Sequence, residues 1–170
     1  KIPPVMFMFA AISPASQKIK ILISTGGHDF ERDQFFGMFD SMANIEYTSV
    51  EHPAANDIYA SSSLDAYDAL VYYDMNQEIS EEQKKAFLAM TEKGKGLVFL
   101  HHSLASYQTW DDYMQIQGGR YYENPEDVAK KSTYKHDVEM NVYILDRDHP
   151  VTQGVSDFKI HDEVYGNFQV

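Results

Sequence analysis

Four short apolar runs, each closed by turn residues and spaced by helix-like stretches, constrain this chain more than any other feature. Residues 18–25 read Lys-Ile-Lys-Ile-Leu-Ile-Ser-Thr and stop at Gly26-Gly27. That is the pattern of a buried strand ending in a tight turn. Residues 45–50 alternate as a second strand, Leu70-Val71-Tyr72-Tyr73 form a third, and Gly96 to His101 a fourth. Between the first two, Phe35, Phe36, Met38, Phe39 and Met42 recur at helical spacing. Ser80-Glu81-Glu82-Gln83 is a capping-box signal opening a helix that buries Phe87, Leu88 and Met90. A third helix is expected to carry Leu104, Tyr107 and Trp110 before Gly118-Gly119, and the polar stretch 53–63 is expected to be loop.

Strands alternating with helices predict an α/β fold: a doubly wound, mostly parallel sheet with helices on both faces. After Gly119 the pattern changes. Residues 132–145 alternate loosely, with Val138, Met140, Val142 and Ile144 on one face, which suggests a long strand or hairpin added at one sheet edge.

The chain's 170 residues suit one domain, and 44% hydrophobic residues suffice for a core. Its 26 acidic against 14 basic residues give a net charge of −12, which repels phosphate backbones and anionic lipid. A nucleic-acid partner is not expected, and solubility alone accounts for the acidity. The absence of cysteine excludes a disulfide, a thiolate nucleophile, Cys-ligated zinc and an iron–sulfur cluster. No apolar run approaches the about 20 residues of a membrane span.

Residues 1–16 hold an apolar run from Val5 to Ile12, followed by Ser13-Pro14-Ala15. They read as the remnant of an export signal cleaved near Ala15, leaving 17–170 as a periplasmic or extracellular domain. The other reading is a buried N-terminal strand of a cytoplasmic protein, since Pro3-Pro4 fits a signal core poorly.

In a doubly wound sheet, ligands bind beyond the carboxyl ends of the strands. The turns there are Gly26-Gly27-His28-Asp29, Asp74-Met75 and His101-His102-Ser103, and two of them hold three of the seven histidines. Neighbouring parallel strands lie about 5 Å apart, so His28 and His102 can converge on one small molecule. The bland alternative for His101-His102 is one core histidine and one solvated one. His136-Asp137 and Asp162-Glu163 add further candidates.

Imidazole with carboxylate suits general acid–base work near neutral pH, and also zinc or another divalent transition metal. His28, His102, His136 and Glu163 are the best-matched metal set, although no short ligand pair anchors them. Ser103 sits where a nucleophile elbow would, yet without Gly-x-Ser-x-Gly, and equally suits a helix N-cap. Gly26-Gly27 lacks a nucleotide fingerprint, and Asp29 and Glu31 would repel phosphate. Tyr107, Trp110, Tyr121, Tyr122 and Tyr165 can stack on sugar rings or fill the core.

Several segments together resemble the ThuA-like (trehalose-utilisation) family. They are Thr25-Gly26-Gly27-His28-Asp29-Phe30, the run from Gly94 through His101-His102-Ser103-Leu104-Ala105, Trp110, Gly118-Gly119, His149-Pro150-Val151-Thr152-Gln153-Gly154, and Asp162-Glu163-Val164-Tyr165-Gly166-Asn167. The resemblance covers residues 18–170 and implies a three-layer sandwich similar to class I glutamine amidotransferases and flavodoxin. Those amidotransferases carry a Cys at the turn holding His102 or Ser103 here, so glutaminase activity is excluded by composition. ThuA-like chains also continue beyond the Asp-Glu-x-Tyr-Gly segment, so a domain truncated at its C-terminus is expected.

The resemblance implies action on a carbohydrate or keto-sugar of 3-keto-glycoside type. Protons beside a sugar ketone are acidic, so His and Glu could drive enolisation, isomerisation or elimination, with or without a metal. The expected catalytic pair is His102 and Glu163, with His28, Asp29, His101, His136, Tyr107, Trp110 and Tyr165 lining the site. A non-catalytic carbohydrate-binding module and a serine hydrolase using Ser103 are the rival readings. A homo-oligomer is open.

Overall fold

The computed structural model describes residues 17–170, so the expected signal remnant at 1–16 lies outside the described residues. β1 (Ile19–Gly26) runs through the middle of the molecule. Its side chains alternate: Ile21 and Ile23 face one way, Leu22 the other. Both faces are covered, which explains why the run reads as nearly continuous apolar residues.

β2 (Ile45–Glu51) and β3 (Ala69–Asp74) flank β1, and β4 (Gly96–Phe99) pairs outside β3. All pairings are parallel, in the order β2-β1-β3-β4. The chain steps one way from β1 to β2 and the other way to β3. Their carboxyl ends therefore bound the crevice where ligands of such sheets bind.

Helix α1 (Arg32–Asp40) covers one face, burying Phe39 and half-burying Phe35 and Phe36 against Ile21, Ile23 and Val71. Met38 and Met42 of the expected stripe are exposed instead. Helix α2 (Glu81–Glu92) covers the other face, packing Phe87 and Met90 on Leu22, Leu70 and Tyr72. Its capping box forms as expected: the Gln83 N–H donates to Ser80 Oγ at 3.2 Å, and the Ser80 N–H to Gln83 Oε1 at 2.9 Å. The stretch read as loop coils into two 3₁₀ turns, Ala54–Ala60 and Ser62–Ala66, burying Tyr59 and Leu64 under α2.

The third helix differs from expectation. After β4 the chain makes a 3₁₀ turn over His101–Ala105, and only Asp111–Gln117 is helical, as α3. Tyr107 has φ +46° and its N–H donates to the Asn76 carbonyl at 2.8 Å, so it cannot continue a helix. Tyr107, Trp110 and Tyr113 all enter one aromatic cluster around Phe87. Their three-residue spacing mimics helical periodicity although tertiary packing sets it.

The C-terminal region also differs. β5 (Thr133–Val142) and β6 (Phe158–Gly166) form their own antiparallel two-stranded sheet rather than an edge of the main one. The pairing of Arg120 with Gln169 ties this hairpin back to the α/β body. A register shift between Lys135 and Val138 coincides with φ +56° at Asp137, a bulge that re-aims the start of β5. No helix among the described residues is long and apolar enough to cross a membrane.

Candidate functional site

β1 delivers His28. Gly26 and Gly27 both have positive φ, +116° and +88°. A Cβ on Gly27 would stand 2.3 Å from the Met75 carbonyl oxygen, so only glycine lets the turn pass this close to the end of β3. His28 consequently lies over Tyr73, with ring centroids 4.7 Å apart, edge to face.

β4 delivers the histidine pair. Consecutive strand residues point to opposite faces, but His101 adopts φ +34°, which turns the chain and brings both imidazoles to one side. Such a conformation costs of the order of 1–3 kcal/mol and is characteristic of functional sites. The His101 and His102 rings meet edge to face at 4.8 Å. His102 stacks on His28, with centroids 3.9 Å apart and planes 10° from parallel. The expected convergence of His28 with the tandem pair is therefore present.

β6 closes the group. Glu163 and Tyr165 are two residues apart and share a face. Glu163 Oε2 lies 2.7 Å from His101 Nε2, and the Tyr165 ring stacks on His101 at 4.2 Å. From β5, His136 places Nδ1 3.4 Å from Glu163 Oε1. The carboxylate thus sits between two imidazoles on different elements.

Beside this group opens a cavity of about 210 Å³, lined by His102, His136, Glu123 and Glu163, by Tyr121, Tyr134 and Tyr165, and by Met75 and Ala105. This lies below the usual range for drug-sized ligands and suits one small molecule. Larger hollows exist, such as that of about 360 Å³ between α2 and α3, but this one is lined without any histidine.

Burial pushes the His102 imidazole down to about 4, with repulsion from His28 and His101 adding to the effect and Glu163 opposing it. His102 is therefore neutral at pH 7, and its Nδ1 is buried without a hydrogen-bond partner. Burial, then the nearby Glu163, pushes the Tyr165 phenol up, so it remains a hydrogen-bond donor. His28 differs: Nδ1 lies 3.1 Å from the Asp29 carbonyl and Nε2 3.2 Å from the Tyr73 carbonyl. Both nitrogens face backbone carbonyls, of which a neutral imidazole donates to one, and His28 supports His102 through its flat face.

The remaining expected residues fall elsewhere. Asp29 is exposed and meets the site only through its backbone carbonyl. Tyr107 and Trp110, expected to contact a ligand, are core residues, 1% and 6% exposed. The Tyr107 hydroxyl donates to Asn56 Oδ1 at 2.7 Å. Ser103 neither caps a helix nor lines the cavity. It is buried, its Oγ accepts from Gln117 Nε2 at 3.0 Å, and Leu100 occupies the capping position. Tyr122 donates to Gln169 Oε1.

The expected metal set also changes. Among the described residues, the ligand atoms that lie within 4.8 Å of one another belong to His101, His102 and Glu163, so His101 enters the set while His28 and His136 of the expected set fall outside it.

Sequence reasoning missed Tyr73, Tyr134 and Glu123. Tyr134 was accessible, being two residues before His136 in one strand. It also missed the pair of His52 with Asp74 at the ends of β2 and β3. His52 Nε2 lies 2.6 Å from Asp74 Oδ2, and the Ser106 hydroxyl donates to Asp74 Oδ1 at 2.9 Å. No short motif announces that contact, because 22 residues separate the partners.

The ThuA family, described as trehalose utilisation, matches residues 20–170. The chain belongs to this family. No curated protein matches it. Among solved structures, a ThuA-like protein of Parabacteroides merdae superposes with a TM-score of 0.73 at 17% identity, over 90% of this chain and 64% of that one. A ThuA-like protein of Bacteroides uniformis gives 0.61 at 17% identity, over 92% and 64%. The likeness shows the shared α/β fold, and the ThuA domain here spans about 64% of each of those proteins. The family's description attaches a carbohydrate-related role to it.

Proposed function

We propose that this ThuA-family domain binds a small carbohydrate or keto-sugar in the cavity beside Glu163 and acts on it by general acid–base chemistry. One observation carries the reading: Glu163 from β6, His136 from β5 and His102 from the turn after β4 converge on one cavity that three tyrosines also line, with His101 held against Glu163 behind them. Tyrosine faces stack on the apolar face of a sugar ring while their hydroxyls meet its polar rim. The acidic surroundings favour an uncharged ligand over a phosphorylated one.

In this reading the Glu163 carboxylate takes the proton from the carbon beside the sugar ketone. His102 and Tyr165 hydrogen-bond the oxygen on which negative charge then develops. His101 and His136 orient the carboxylate, and His28 holds His102 in place by stacking. A Ser103 nucleophile is disfavoured, because its hydroxyl is buried outside the cavity.

The test is deuterium uptake from D2O into the carbons flanking the carbonyl of a 3-keto-glucoside, followed by NMR. Calorimetric binding of the same sugar and of trehalose runs in parallel. The reading expects enzyme-dependent exchange that Glu163→Gln abolishes. Binding without exchange would leave a carbohydrate-binding module, and neither binding nor exchange would retire the sugar reading.

A further inference from the structure

We infer that His101, His102 and Glu163 form a site for one divalent transition-metal ion. The inference concerns the cavity of the proposed sugar site but does not require a sugar. Three observations support it, and each concerns geometry.

First, the three residues offer ligand atoms within 4.8 Å of one another. Bonds of about 2.0–2.2 Å from imidazole nitrogen and carboxylate oxygen place neighbouring ligands of one ion about 3–4 Å apart. Sub-ångström to ångström adjustments by His102 and Glu163 would close the set. Two imidazoles and a carboxylate with an open position is a donor set used by catalytic zinc and by non-haem iron sites. With no cysteine in the chain, it is also the kind of set available for such an ion.

Second, the surroundings are those of supported ligands. Metal-bound histidines are held by neighbours that fix ring orientation. His102 is clamped face to face by His28 at 3.9 Å, and His101 by Tyr165 at 4.2 Å. The second oxygen of Glu163 faces His136 Nδ1 at 3.4 Å, so the carboxylate has a partner on each oxygen. Both His28 nitrogens face backbone carbonyls rather than the ligand group, so His28 supports the set without joining it.

Third, the arrangement looks unfinished as pure protein packing. The chain accepts a left-handed backbone at His101 to bring two imidazoles together. Yet one nitrogen of His102 is buried with no hydrogen-bond partner. Two of the three donors, His102 and Glu163, line the cavity, so the open coordination position would face the ligand space, where a divalent ion acts as a Lewis acid towards a carbonyl or hydroxyl oxygen. Imidazole-rich donors favour zinc, iron or nickel over magnesium and calcium, which prefer all-oxygen shells.

The test uses the untagged protein, stripped with chelator and titrated with ZnCl2 by calorimetry, with metal content measured after dialysis. About one equivalent of zinc should be retained, and cobalt should give a visible d–d spectrum. His101→Gln and Glu163→Gln, assayed separately, should each weaken zinc binding by at least about 100-fold while keeping wild-type circular dichroism. A His149→Ala, His161→Ala double variant removes exposed surface imidazoles and should bind as wild type. Less than about 0.1 equivalent retained, or binding insensitive to both site variants, overturns the inference. Sugar binding is measured in chelator and in zinc separately. Zinc uptake with no sugar response upholds this site and counts only against the sugar reading. Sugar binding without zinc uptake does the reverse.

Discussion

Two histidine–carboxylate contacts of nearly equal length lie in opposite environments in this molecule. His52 meets Asp74 at 2.6 Å with side chains 2% and 0% exposed, under the crevice and sealed by Ser106. His101 meets Glu163 at 2.7 Å with 34% and 14% exposure, at the wall of a cavity. The first joins two strands of the same sheet, β2 and β3 being the neighbours of β1 on either side. The second joins the α/β body to the hairpin. Contact distance does not separate a sealed pair from one open to a cavity, whereas exposure does.

The largest expected effect lies in the sealed pair. Replacing Asp74 with Ala leaves His52 Nε2 without its partner in the core, although the Ser106 hydroxyl keeps the residue-74 carbonyl and the Asn76 N–H, and should cost about 3 kcal/mol. Urea unfolding measures it, and a loss under about 1 kcal/mol would remove the distinction between the pairs. The open pair should behave in reverse. Glu163→Gln should change stability by no more than about 1 kcal/mol yet reduce keto-sugar proton exchange by at least about 100-fold. A variant that unfolds while its residual folded fraction stays active would make Glu163 a structural residue.

The third expectation concerns pH. His102 titrates at about 4 when folded, against 6.5 unfolded. As pH falls below 6.5 the unfolded chain takes up this proton first, so stability is whole above 6.5 and declines until about 4. His102→Gln should lose stability less steeply than wild type across that window in parallel urea titrations. Equal slopes would mean that His102 is not desolvated. The smallest effect is expected at Ser103. Ser103→Ala removes the acceptor for Gln117 and should cost about 1 kcal/mol, leaving exchange activity near wild type. Reaction of the wild type with a fluorophosphonate would contradict that.

Much of this was legible from local pattern. The strand ending at Gly26-Gly27, the Ser80–Gln83 capping box and the histidine-bearing turns each follow from residues near one another, and the strand-end rule for doubly wound sheets then placed His28 beside the tandem pair. Reading failed where a signal had two causes. The spacing of Leu104, Tyr107 and Trp110 looked helical, but Tyr107 and Trp110 are set by an aromatic cluster, and the two aromatics expected to stack on a sugar are core residues. The hairpin showed strand alternation, but alternation does not say which sheet a strand joins.

The sequence by itself determined the α/β alternation, the family, the exclusion of cysteine chemistry, and Glu163 with three of its imidazole neighbours as candidates. All of these are written in composition or in contacts a few residues long. Only the tertiary structure decided that His101 rather than His28 faces Glu163, that His28 is held by backbone, and that His52 and Asp74 are sealed away. Each of those outcomes turns on a backbone angle at one residue or on a pairing 22 to 62 residues long. Side-chain direction across such separations is set by packing, for which a linear pattern carries no local signal.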